Sequence, residues 1–195
     1  MSFLSGTTTI THATPIPAPV RKGAAVARLQ DHEFFLHCDP HYTSHRTLPQ
    51  ESPQQDGDKD KDKDKTDPVA AARETYQLPA DLTPTGGVTV YEVVDHVPNP
   101  VWSSTVVSRE EFVDFADGLW VRLRSPMGVV METVWTVRER GGDDGLELVE
   151  DVKISCSRLL LGIVKGQVEG NWTSIHKKIV DRMVEDAGKE GAGGE

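Results

Sequence analysis

Apolar residues recur at two periods along this chain, and the change from one to the other outlines its architecture. Over residues 146–156 the even positions Leu146, Leu148, Val152, Ile154 and Cys156 are apolar, while Glu147, Asp151, Lys153 and Ser155 alternate with them. A period of two predicts a strand with one buried face. Almost directly afterwards Val164, Val168, Trp172, Ile175, Ile179 and Met183 recur at steps of four, four, three, four and four. That spacing predicts one apolar stripe along a long amphipathic helix. Upstream, β-prone runs bounded by turn residues predict strands at 7–14, 88–96, 101–107, 111–115, 119–124 and 129–140. Pro15, Pro17 and Pro19 are expected to end the first of these, because proline cannot donate to a ladder. Asp117-Gly118 marks a hairpin turn, and Gly141, Gly142 and Gly145 mark another. Residues 20–36 predict helix, divided in two at Asp31 and stopped by Pro40. The order is one strand, two short helices, an antiparallel meander and a long helix. This is an α+β chain rather than an alternating α/β one.

Two stretches stand outside this pattern. Residues 48–75 hold Pro49, Pro53 and Pro68 and an alternation of Asp and Lys over 58–65. Too little apolar surface is available there to offset the entropy of ordering. The expectation is a single domain over 1–187 carrying a disordered insertion at 48–75, with a disordered tail at 188–195. Gly162, Gly166 and Gly170 lie at steps of four in the predicted helix, where each glycine costs about 1 kcal/mol relative to alanine. Either they form a groove against a strand or a ligand, or 159–166 is a loop and the helix begins near Gln167.

Charge and composition narrow the functional classes. A net charge of −10 argues against nucleic acid, whose phosphates need clustered Lys and Arg. It also disfavours permanent residence on an anionic membrane, leaving transient contact open. No apolar run approaches the roughly 20 residues of a membrane span. Residues 1–11 lack the basic and apolar regions of a signal peptide, so an intracellular, cytoplasmic location is expected. Cys38 and Cys156 are then expected as buried thiols, and the sequon at Asn171 as unused.

The chemistry is sparse. There is no G-x-S-x-G, phosphate loop or dinucleotide fingerprint, and no cofactor is expected. His32, His37, His41 and His45 cluster with Cys38, but their spacing fits no zinc pattern and Pro40 interrupts His37 and His41. Capping and surface polarity around a helix end are expected there, with no metal site. Glu150 is the notable residue, an acid within the apolar face of its strand. It needs a cation, a donor or water. It is part of an internal ion pair, or lies at an exposed strand end, or is a ligand-anchoring or acid/base group. Arg122 and Arg124 share with Trp120 the face opposite Leu119, Val121 and Leu123.

Residues 9–17 (TITHATPIP), Asp31-His32-Glu33-Phe34 with Cys38-Asp39-Pro40, 119–137 and 146–172 resemble a family of fungal proteins that carries no assigned chemistry. That family looks like the START-like, or polyketide-cyclase-like, helix-grip superfamily. The resemblance spans most of the chain outside 48–74 and the tail. It implies a curved antiparallel sheet wrapped around the long C-terminal helix, with an apolar cavity for a lipid, sterol or polyketide-like molecule. The leading expectation is a binding or carrier module for an apolar small molecule. Arg122, Arg124, Met131, Trp135, Glu150, Val152, Ile154, Val168 and Trp172 are its candidate cavity residues, with Glu150 or an arginine orienting a polar head group. A protein-interaction module with a filled core is one alternative. The other is an enzyme of cyclase or dehydratase type, with Glu150 as acid or base and an arginine stabilising developing charge. The enzyme reading requires Glu150 and Arg122 to converge in one pocket.

Overall fold

The computed structural model describes residues 5–49, 73, 76–97, 104–141 and 145–192. Among them seven strands form one curved, open antiparallel sheet: β1 (Ser5–Ile16), β2 (Tyr42–Leu48), β3 (Pro84–Val97), β4 (Ser104–Phe115), β5 (Gly118–Ser125), β6 (Val129–Glu139) and β7 (Leu146–Ser157). Their spatial order is β1-β7-β6-β5-β4-β3-β2. The meander from β2 to β7 is therefore sequential, and the first strand closes onto the last. Two short helices, α1 (Lys22–Leu29) and α2 (His32–Leu36), and the long α3 (Arg158–Ala192) complete the fold. No helix among the described residues is long and apolar enough to cross a membrane.

Several elements differ from the sequence expectation for physical reasons. β1 runs through Pro15 to Ile16, with Pro15 opposite Glu147. An edge strand can place a proline where the missing N–H would face away from the ladder. Asp31 does divide the two helices, because its carboxylate caps α2 by accepting from the Phe34 N–H at 3.1 Å. β2 has no clear alternation, since it is an edge strand carrying Ser44, His45, Arg46 and Thr47. The strands expected at 101–107 and 111–115 are one strand from Ser104, because the polar run at 108–111 is itself buried or half-buried. α3 begins at Arg158, so 159–166 is helix and not a loop. A Cβ on Gly162, Gly166 or Gly170 would meet nothing within 4 Å, so these glycines do not serve close packing against a strand. The close approach lies on the strand side, where a Cβ on Gly6 would sit 3.1 Å from Leu161 Cδ2. The helix also continues through Gly188 to Ala192, further than the expected tail boundary. Most of the 48–75 segment, and 193–195, lie outside the described residues.

The inner face of the sheet carries the main core. Leu29 and Leu36 from the short helices pack with Phe112, Leu119, Leu148 and Ile179. Beside it, Val152, Ile154 and Cys156 pack under the first turns of α3 through Leu161, Val164 and Val168. On the outer face Val88, Val90, Val113 and Trp120 form a smaller cluster covered by Tyr76, Leu78 and Leu82. Both cysteines are buried free thiols, and burial pushes the Cys38 thiol up to about 11.

Candidate functional site

Between the sheet and the helices lies a cavity of about 120 Å³. Strand register builds its floor, because antiparallel partners directly opposite share a face. Leu123 lies opposite Met131, Val121 opposite Thr133, and Trp135 opposite Glu150. Val93 and Asp95 come from β3 and Glu110 from β4, while Phe35 and Leu36 of α2, Asp39 and Ile175 of α3 close the other side.

Glu150 is fixed from the side of β1. His12 sits opposite it in the β1–β7 ladder, and His12 Nδ1 shares a 2.8 Å hydrogen bond with Glu150 Oε2. Both side chains are less than one-tenth exposed. The His12 ring stacks on Trp172 of α3, with centroids 4.5 Å apart and planes 5° from parallel. Thr14 Oγ1 and His176 Nδ1 share a 2.8 Å hydrogen bond, and His176 Nε2 lies 3.5 Å from Glu150 Oε2 with no hydrogen-bond partner among the described residues. A carboxyl held this way can anchor a polar group or exchange a proton with a bound molecule.

Two other acids in the wall have shifted titrations. Burial, reinforced by the neighbouring Asp95 and Asp39 charges against one Ser108 hydrogen bond, pushes the Glu110 carboxyl from 4.5 up to about 8. Burial, with Asp39 nearby, pushes Asp95 from 3.8 up to about 6. Between each pair of values the folded protein keeps a proton that the unfolded chain has released, so stability falls as pH rises. The Asp95 contribution is complete near pH 6, whereas that of Glu110 continues to about pH 8. The thermal midpoint should therefore decline from pH 5 to pH 8, and Glu110→Gln should flatten the decline above pH 6. Thermal unfolding across that range checks this; an unchanged slope in the variant would refute the assignment to Glu110.

The structure brings together only part of the expected site. Met131, Trp135 and Glu150 line the cavity. Val152, Ile154 and Val168 belong to the adjoining packed cluster, and Trp172 supports His12 from the helix. Arg122 and Arg124 do not reach the cavity, a correction that follows from the alternation of β5. Since Leu119 and Val121 face inward, the arginines face outward, where Arg122 Nε donates to Glu111 Oε2 at 2.6 Å and Arg124 Nε lies 3.5 Å from Glu111 Oε1. Glu150 and Arg122 thus occupy opposite faces of the sheet. The histidines near α2 serve separate local links: His32 bonds Tyr91 and Asp114, His37 the Glu33 carbonyl, and His45 the Tyr42 hydroxyl.

His12, His176, Asp95 and Glu110 were not singled out by sequence. His12 had a signal, since Ile10, His12, Thr14 and Ile16 share one face of β1. His176 follows Trp172 by four positions on the buried side of α3.

A curved antiparallel sheet gripping a long C-terminal helix around a cavity defines a helix-grip domain. The chain belongs to the family described as a domain of unknown function, DUF7053, whose profile matches residues 5–188. No curated protein shows significant similarity to it. Two solved structures share the fold. TTHA0849 from Thermus thermophilus aligns with a TM-score of 0.54 and 17% identity over 92% of this chain and 99% of that one. The di-domain aromatase/cyclase StfQ of the steffimycin biosynthetic pathway aligns with a TM-score of 0.58 and 10% identity over 93% of this chain and 52% of that one. This chain thus corresponds to about half of StfQ. At these identities the likeness is one of fold.

Proposed function

We propose that this protein is a binding or carrier module for a compact, partly apolar small molecule. The observation that supports it most directly is the cavity itself: an apolar wall of Phe35, Val93, Val121, Met131 and Trp135, interrupted by carboxyls of which Glu150 is held in place by His12. Few convergent polar groups in an apolar pocket are the usual form of a ligand site. Volume limits the occupant. About 120 Å³ is close to the roughly 150 Å³ of a cavity that holds benzene, and well below the roughly 300 Å³ at which drug-sized ligands begin. The ligand is therefore about one ring in size, and a sterol or phospholipid would require the cavity to widen several-fold. The fold shared with an aromatase/cyclase domain is compatible with such a site. The outward placement of Arg122 removes the arginine that the cyclase-type mechanism called for. Native mass spectrometry, before and after incubation with a mixed small-molecule extract, tests the proposal. A one-to-one adduct released by solvent is the expected result. A bare mass under both conditions would favour the ligand-free interaction module.

A further inference from the structure

The cavity is charged with one sign only. Its wall carries Asp39, Asp95, Glu110 and Glu150, and no lysine, arginine or histidine among the described residues. Two of these carboxyls have partners that explain them. Glu150 is paired with His12, and Asp39 Oδ1 accepts from the His41 N–H at 2.7 Å, closing the turn after α2. The other two do not. Glu110 is 8% exposed, lines the cavity, and has the Ser108 hydroxyl at 3.2 Å as its one hydrogen-bond partner among the described residues. Asp95 makes no side-chain hydrogen bond or ion pair among them. The two acids project from adjacent strands onto the same inner face, Glu110 opposite Tyr91 and Asp95 two pleats beyond it. A buried carboxyl with one neutral donor is unfavourable unless it gains a proton or a positive partner. Nothing in the surrounding wall supplies that partner.

We propose that the molecule this cavity takes is a compact organic cation, an amine whose ammonium bonds the Glu110 carboxylate, with Asp95 further along the same face adding to the negative field, and whose apolar body rests against Phe35 and Trp135. This rests on the reading of the cavity as a ligand site and adds the chemical class of its ligand. An ammonium would supply the missing donors as charge-assisted hydrogen bonds, the stronger kind. The aromatic rings favour a cation within reach of their faces. An anionic ligand would meet four acids and no cationic side chain in the wall, and a neutral one would leave buried Glu110 and half-buried Asp95 dependent on protons. The net charge of −10 acts in the same direction, drawing cations toward the surface.

Calorimetric titration of the full chain at pH 8.5, where most of Glu110 is ionised and benzylamine is still a cation, with three probes of one shape tests the class: benzylamine, benzyl alcohol and benzoate. Benzylamine is expected to bind at least about tenfold more tightly than benzyl alcohol, with benzoate the weakest, as a charge-assisted bond implies. Glu110→Gln should reduce the affinity for benzylamine by about tenfold and change that for benzyl alcohol much less. If that variant does not fold, Asp95→Asn, at a half-buried position further along the face, should show a smaller loss for benzylamine, with neither benzyl alcohol nor benzoate overtaking it. Equal or tighter binding of benzyl alcohol or benzoate overturns the cation assignment while leaving the cavity a ligand site. Failure of all three probes to bind overturns both.

Discussion

Replacing Arg122 with methionine is expected to destabilise the fold by about 3–5 kcal/mol, although the residue lies on the far side of the sheet from the cavity. Arg122 and Glu111 are each only 4% exposed, and their contact at 2.6 Å is the close one around that carboxylate. Arg109 and Arg124 also approach Glu111, at 3.7 and 3.5 Å, but their side chains are much more exposed and bring little to a buried charge. Methionine keeps most of the apolar stem, so the loss reports the charge and its bonds. Glu111 would remain buried without its close partner, the Tyr76 carbonyl would lose a donor, and Trp120 would lose the guanidinium 5.0 Å above its ring. Urea unfolding should show a lower midpoint with an unchanged slope. Adding Glu111→Leu should recover most of the loss, because replacing both members of a buried pair with apolar groups is often neutral. A double variant as unstable as the single one would show that the unpaired carboxylate is not the cause.

The second large effect is expected at Gly118. Its alanine variant should lose about 3 kcal/mol, the upper end for an overpacked site. A Cβ there would stand 1.8 Å from the Trp135 carbonyl oxygen and 2.9 Å from Phe115 Cζ. The phenyl ring can turn aside, but the carbonyl belongs to the β5–β6 ladder and can move only with its strand. Moving it also strains the tie to α1, since Gln30 Nε2 donates to the carbonyls of both Phe115 and Gly118 at 2.8 and 2.9 Å. Trp135 is part of the cavity wall, so weaker probe binding should accompany the lost stability. Gly141→Ala, with nothing within 4 Å of its added methyl, serves as the near-neutral control. Equal thermal midpoints for the two variants would refute the steric argument.

What could be read from the chain followed from the length and one-sidedness of each pattern. β7 and α3 were legible because alternation sustained over residues 146–156 and a six-position stripe leave little ambiguity. β2 was hidden by its polar edge position. β4 was split in two by Ser108, Arg109 and Glu110, buried or half-buried polar residues that break the apolar signal. Local rules tend to fail where a fold carries buried chemistry, and here that chemistry includes the cavity acid Glu110. Glu150, Met131 and Trp135 could be read from alternation alone. Arg122 and Arg124 were assigned to the cavity for their charge, against an alternation that already set them apart from Leu119 and Val121. The His12–Glu150 pair had no local signal, because it depends on a register between strands 138 residues apart in sequence.

That separation also orders events during synthesis. β1 is the first strand of the sheet to leave the ribosome, yet its ladder partner is β7, with Ser5 awaiting Ser157 and Ile16 awaiting Leu146. Until the seventh strand has emerged, the threonine-rich segment has no place in the sheet, and the histidine that positions Glu150 has nothing to position. Closure over so long a loop is slow compared with the hairpins of the meander. A nascent chain halted before residue 146 would therefore present five consecutive strands whose inner face has only α1 and α2 to cover it. The cavity has no partial form: it comes into being with the last strand and helix, after most of the domain has already been made.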